Sequence, residues 1–333
     1  MPHLSSKLVE RADSGAPSDR PRATALAASL MGNVECVIKG KREAVQLAVT
    51  ALLAGGHLLI EDVPGVGKTM LGRCLARSVR GSFKRIQATP DLLPSDITGS
   101  TVFNQSNRSF EFIQGPIFAN VVLIDEINRT TPRTQSALLE AMDENAVTVD
   151  GRRHALPEPL FVIATQNPLE HHGTYPLPEG QLDRFAIAMD LGYTDPATER
   201  DIVRAQLDHH PIDELEAVVD PLDVVHLRHI VRQTHVADHV LDYALSITMG
   251  TRAHEDLELG ASPRASISLV RCAQARALLN NRDFVVPDDV KALAVEVLAH
   301  RVVPAAGLRL EHGRGAKAVA QVLERTPVPV TRG

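Results

Sequence analysis

The segment Val63-Pro64-Gly65-Val66-Gly67-Lys68-Thr69 constrains this chain more than any other. It follows a short apolar run of strand type, His57-Leu58-Leu59-Ile60, and leads into a helical pattern beginning near Thr69. Glycines in such a turn let successive backbone N–H groups converge on an anion, and the helix N-terminus adds its dipole. Lys68 would then reach the β- and γ-phosphates of a nucleotide, and the Thr69 hydroxyl would ligate Mg2+. The general pattern GxxxxGK[ST] has glycine at its first position, where this chain has Asp62. Alone, the segment is also compatible with a glycine turn followed by a chance Lys-Thr.

The surrounding pattern supplies the context. Apolar residues at Ala44, Val45, Leu47, Ala48, Leu52 and Leu53 predict a helix over Arg42 to Ala54, ended by Gly55-Gly56. Further short apolar runs lie around Phe83 to Ile86, at Val121 to Ile124 and at Phe161 to Ala164, with a helical stretch at Gln135 to Met142. Nearly continuous apolar runs suit strands covered on both faces, so residues 35 to 192 read as an α/β fold on a parallel sheet. After Pro196 the pattern predicts helices alone, at about 196–208, 223–233, 238–252, 263–280 and 287–299. The expected division is a mobile tail at 1–22, an α/β nucleotide-binding domain at 23–195 and a smaller α-helical lid at 196–333.

Asp125-Glu126 closes the third apolar run. Two adjacent carboxylates at the end of a strand beside a phosphate loop have a specific use: Asp125 holds the Mg2+ shell and Glu126 takes a proton from an attacking water. Thr165-Gln166-Asn167-Pro168 ends the fourth run, where Asn167 is placed to orient that water or touch the γ-phosphate; an Asn-Pro turn is the plainer alternative. No NKxD-type reader of guanine is present, so ATP is preferred over GTP.

Composition excludes other classes. With 41 acidic against 35 basic residues the net charge is −6, and Trp is absent, which disfavours a dedicated nucleic-acid binder. No run approaches the roughly 18 apolar residues of a membrane span, and no apolar leader precedes Glu10. Cys36, Cys74 and Cys272 show no CxxC spacing, and a reducing, cytoplasmic setting is expected. His235 and His239 share a helical spacing, but nothing nearby completes a zinc site.

With these elements in hand, the chain resembles the MoxR-family AAA+ ATPases. The resemblance is carried by Gly55 to Thr69, Arg85 to Gly99, Asp125 to Arg129, Gln135 to Met142, Ala164 to Pro168, Gly173 to Phe185 and Gly260 to Ser266. It implies a P-loop AAA+ core with β-hairpin inserts and an all-α lid. It implies that Asp62, Val63, Pro64, Gly65, Val66, Gly67, Lys68, Thr69 and Met70 form the Walker A nucleotide site, and that Asp125 and Glu126 are Walker B. Asn167 matches sensor 1, Arg184 an arginine finger for the neighbouring subunit, and Arg264 sensor 2. Surface ion pairs are the bland reading of both arginines.

The resemblance further implies a homo-oligomeric, hexameric ring that remodels or matures a protein client, by metal or cofactor insertion. A separate partner with a von Willebrand factor A-type domain is expected, because this chain shows no DxSxS run. Residues 101–118 and 146–156 read as two hairpins, the second turning at Asp150-Gly151, placed either to contact the client or for subunit packing. Thr130-Thr131, Ile124, Gly180 and His171-His172 depart from the family's usual residues without touching a matched catalytic position. Three alternatives stay open: a nucleic-acid motor using Arg152-Arg153, a nucleotide-gated scaffold with little turnover, and a P-loop small-molecule kinase.

Overall fold

The computed structural model describes residues 19–167, 174–305 and 313–329. Helices α1 (Arg20–Val37) and α2 (Arg42–Ala54) lead into β1 (Leu58–Glu61), α3 (Lys68–Ser78) and β2 (Phe83–Gln87). Next come α4 (Pro94–Thr98), the hairpin β3 (Gly99–Asn104) and β4 (Ser109–Gln114), β5 (Val121–Asp125) and α5 (Pro132–Glu144). A second hairpin, β6 (Ala146–Val149) and β7 (Arg152–Ala155), precedes β8 (Phe161–Gln166), α6 (Glu179–Leu182) and β9 (Ile187–Met189). The chain continues through α7 (Pro196–Asp208), α8 (Pro221–Gln233), α9 (Asp238–Arg252), β10 (Leu257–Leu259), α10 (Pro263–Leu279), α11 (Pro287–Lys291), α12 (Ala294–Leu298), β11 (Val303–Pro304) and α13 (Arg314–Arg325).

The central sheet has the order β2-β5-β8-β1-β9, and every neighbouring pair is parallel. Its alternating residues feed two cores. Leu58, Ile60, Leu123 and Ile163 face one side; Leu59, Val122, Ile124 and Val162 face the other with Leu138, Leu139 and Met142 of α5. The first core does not stop at the α/β layer. It continues through α1 and α2 into the C-terminal helices, at Val224, Leu227, Ala265, Leu269, Val297 and Val319. The two halves therefore share one dry interior.

Four expectations need correction. The helix α1 reaches back to Arg20, into the stretch read as tail, while residues 1–18 lie outside the described residues. A fifth strand, β9, was not separable by pattern, because three residues are too few to show a period. The lid is not helical throughout: β10 and β11 pair antiparallel. The stretch expected as one helix over 287–299 is broken at Ala292-Leu293. Both hairpins form in register, the second with Asp150 and Gly151 at φ +49° and +73°, as a tight two-residue turn requires. They touch where Phe112 stacks on His154, with 3.9 Å between ring centres. No helix among the described residues is long and apolar enough to cross a membrane.

Candidate functional site

Between β1 and α3 the chain turns through Asp62 to Gly67. Gly65 and Gly67 have φ of +89° and +101°, a region costly for any side chain, and a Cβ at either would meet no atom within 4 Å. Both glycines thus face open space. Helix α3 starts there with Gly67 at its N-cap and no side-chain cap, so its first-turn N–H groups face an anion-binding position. Lys68 Nζ donates to the Asp62 carbonyl at 2.8 Å. Burial pushes the lysine below its ordinary pKa, opposed by the negative charges of Asp62, Asp125 and Glu126. Thr69 follows in the first turn, and Val66 and Met70 pack on the larger core.

Asp62 stands where the general pattern has glycine, and its side chain is committed to backbone N–H groups. One carboxylate oxygen accepts from Val63 N–H at 2.7 Å; the other accepts from Leu191 N–H at 2.8 Å and Gly192 N–H at 2.7 Å. Lys41 reinforces the same place by donating to the Gly192 carbonyl at 2.9 Å and to the Tyr193 carbonyl. The glycine loop is thereby tied to the chain leaving β9. No local motif announces this tie, since its partners lie far along the sequence.

At the end of β5, Asp125 is buried. Its Oδ2 accepts from Arg85 Nε at 2.6 Å and its Oδ1 from the Thr165 hydroxyl at 3.3 Å. Glu126 is left-handed at φ +59°, and its N–H donates to the same Thr165 hydroxyl at 3.0 Å. Its Oε2 accepts from Gln87 Nε2 at 3.0 Å and lies 3.1 Å from Arg129 Nε. Asn167, also buried, directly follows β8, the strand between β5 and β1. Arg85, Gln87 and Thr165 therefore belong to the site although sequence reasoning assigned them no role. The available signal was that Arg85 and Gln87 share one face at the end of β2, beside Asp125 in register.

Lys68, Thr69, Asp125, Glu126 and Asn167 thus gather at the C-terminal edge of the sheet, the edge at which open α/β sheets bind ligands. Arg184 and Arg264 do not join them. Arg184 NH1 lies 3.0 Å from Asp143 Oδ2 and Arg264 NH2 lies 2.5 Å from Asp143 Oδ1. Asp143 is in the last turn of α5, beside Met142, whose carbonyl meets His57 Nε2 at 3.4 Å; His57 precedes β1. From Leu58 to Glu61 is about 10 Å of strand, so both arginines sit toward the opposite edge from the glycine loop. The lid grips this segment. Arg301, buried, donates to the Phe185 carbonyl at 2.5 Å and lies 3.3 Å from Asp183, while the Ser262 hydroxyl donates to Asp183 at 3.1 Å.

The donor set fits the ligands that the loop suggests. Hydroxyl and carboxylate oxygens at Thr69 and Asp125 are hard ligands of the kind Mg2+ takes, and the open glycine loop with Lys68 fits a polyphosphate.

Residues 57–187 match the family described as ATPase family associated with various cellular activities (AAA), and residues 249–326 match the AAA lid domain. YeaC of Bacillus subtilis is 48% identical, covering 90% of this chain and 94% of that protein. Chaperone MoxR1 of Mycobacterium tuberculosis is 40% identical, covering 81% of this chain and 74% of that protein. A crystal structure from Cytophaga hutchinsonii, assigned to the ATPases, superposes with a TM-score of 0.86 at 33% identity over 98% of this chain and 100% of that one. With a glycine loop, an acidic strand end and a helical lid in one such frame, the chain belongs to the MoxR family of AAA+ ATPases, and ATP hydrolysis is its activity.

Proposed function

We propose that this chain works as a ring whose shared sites hydrolyse ATP with Mg2+ and remodel a protein client. The observation that carries the reading is the division of the site. The loop, Lys68, Asp125 and Glu126 lie at one edge of the sheet, and Arg184 with Arg264 lies toward the other. No single protomer brings these two groups together in this arrangement, whereas a neighbour packed edge to edge supplies the missing half.

In this reading the α3 N-terminus, the 63–67 backbone and Lys68 hold the phosphates, and Thr69 with Asp125 would hold Mg2+. Bound there, the cation would neutralise charge on the β- and γ-phosphates. Glu126 accepts a proton from water as the water oxygen bonds to the γ-phosphorus and the bond to the β–γ bridging oxygen breaks, giving ADP and phosphate. Asn167 orients that water. Arg184 and Arg264 of the adjoining protomer meet the terminal phosphate, where a supplied arginine contributes on the order of 10³ to 10⁵ in rate. Since the lid grips Asp183 and Phe185, the finger moves with the lid, and lid position in one protomer governs hydrolysis in the next.

Six protomers, a client complex matured by metal or cofactor insertion, a separate von Willebrand factor A-type partner and a cytoplasmic setting complete the proposal. One relative is named a chaperone. Three free cysteines suit a reducing compartment. The hairpin β3–β4 offers the client an exposed aromatic pair on one face, Phe110 at 72% and Phe103 at 48% exposure, with ring centres 5.2 Å apart.

The test is ATPase rate per protomer against protein concentration, for the wild type, for Arg184→Ala and for their mixture. A cooperative rise for the wild type, with an inactive variant that still binds ATP and depresses the mixed rate, is expected. Concentration-independent turnover with a fully active variant would exclude the shared site.

A further inference from the structure

Asp143 has no place in the chemistry described so far, yet it touches both arginines that do. It lies in the last turn of α5, and its two carboxylate oxygens are divided between two elements: Oδ2 faces Arg184, just after α6, and Oδ1 faces Arg264, in the first turn of the lid helix α10. One side chain of the core thus binds the core's arginine and the lid's arginine at once.

Two guanidinium groups drawn to one carboxylate stand within a few ångströms of each other. Without the carboxylate their like charges repel and the side chains separate. With it, the cluster keeps one uncompensated positive charge. It is also not sealed: the side chains of Asp143, Arg184 and Arg264 retain 30%, 28% and 49% exposure. Arg184 Nε is buried without a hydrogen-bond partner, so this donor faces inward while NH1 is held by Asp143. A preorganised pair of planar donors with net positive charge is what a terminal phosphate accepts most strongly.

We propose that Asp143 is a positioning residue that gathers Arg184 and Arg264 into a single two-pronged receptor for the terminal phosphate of a nucleotide held by the adjacent protomer. The inference rests on the shared-site reading above. The carboxylate itself meets no phosphate. It sets the spacing of the two arginines and makes the lid's contribution depend on the core's.

The experiment uses the full chain and compares Asp143→Asn, which keeps shape and loses charge, with Asp143→Glu, which keeps charge. Asp143→Asn is expected to lower kcat about 10-fold to 100-fold, the scale on which misplacement of a catalytic group acts. The affinity for a fluorescent ATP analogue should stay within about twofold of wild type, because the variant's own loop is intact. Asp143→Glu is expected to recover most of the rate.

A second readout separates this role from a structural one. Asp143→Asn protomers keep a working loop and lose the receptor, whereas Glu126→Gln protomers keep the receptor and lose the base. A mixture of the two should exceed the sum of their separate rates. An Asp143→Asn enzyme at wild-type kcat, or a mixture that gains nothing, overturns the proposal. Arg184→Ala distinguishes the layers. If that variant is fully active, the shared-site reading itself fails; if it is inactive while Asp143→Asn is normal, only the role of Asp143 fails.

Discussion

Arg85 Nε lies 2.6 Å from Asp125 Oδ2, so the carboxylate assigned to Mg2+ is already held by a cation of its own chain. The arginine comes from β2 and the aspartate from β5, adjacent strands of the sheet. Arg85 is half exposed, which leaves it room to move aside.

A guanidinium beside Asp125 lowers the pull of that carboxylate on a second cation. Arg85→Gln is therefore expected to lower the half-saturating Mg2+ concentration about threefold to tenfold, a difference of roughly 1 kcal/mol for a half-exposed pair. ATPase rate titrated against free Mg2+ measures it. An unchanged or higher requirement would mean that Arg85 does not compete with the cation.

Glu126→Gln keeps the size of the side chain, and its amide oxygen still accepts from Gln87, but its capacity to take a proton is gone. Turnover should fall by about 10²- to 10⁴-fold while nucleotide binding persists. Turnover near the wild-type rate would remove Glu126 from the role of base.

Asp62 is expected to matter for stability as much as for phosphate. Asp62→Asn turns an acceptor into a donor among three backbone N–H groups. At least one buried N–H then loses its partner, at a cost of about 1–3 kcal/mol. Chemical denaturation of the two proteins gives the difference directly. Because the Asp62 carbonyl also holds Lys68, the apparent KM for ATP should rise as well. Equal stability and equal KM would show that the contacts with Leu191 and Gly192 are dispensable.

His57 links pH to stability. It is buried, its Nδ1 accepts from Val162 N–H at 3.1 Å, and its Nε2 faces the Met142 carbonyl, a set that suits the neutral ring protonated at Nε2. Desolvation pushes its pKa down to about 4. Below an ordinary value of 6.5 the unfolded chain takes up a proton that the folded chain refuses. Stability is then fully present above pH 6.5 and is lost as pH falls toward 4, with a slope of about 1.4 kcal/mol per pH unit from this group. Denaturation midpoints between pH 7 and pH 5, with and without His57→Gln, test it. Parallel curves would assign the acid sensitivity to other groups.

Much of this molecule was legible before any coordinates. Helix α2 ends at Ala54, where Gly55 turns left-handed at φ +76°, because Gly55-Gly56 is a local stop signal. The helix starting at Lys68 and the turn at Asp150-Gly151 were equally plain, for glycine placement acts over a few residues. Strand β5 was visible because all five of its residues are buried between two helical layers, which leaves an unbroken apolar run. Helix α13, by contrast, was missed beyond the last stretch read as helical.

What the sequence by itself determined is the chemistry: the glycine loop with Lys68 and Thr69, the acidic pair Asp125-Glu126, and the α/β order that carries them to strand ends. These are local properties of short segments, set by backbone freedom and side-chain type. The tertiary structure alone decided which charged groups meet. Asp62 is joined to Leu191 and Gly192, Asp125 to Arg85, and Asp143 to both Arg184 and Arg264 across the boundary between core and lid. Those pairings depend on how the layers stack over the shared core, and the energy that selects a stacking is apolar burial, which is non-directional. No spacing along the chain encodes them: the resemblance implied that Arg184 serves a neighbouring subunit, and only the fold placed Arg264 beside it on Asp143.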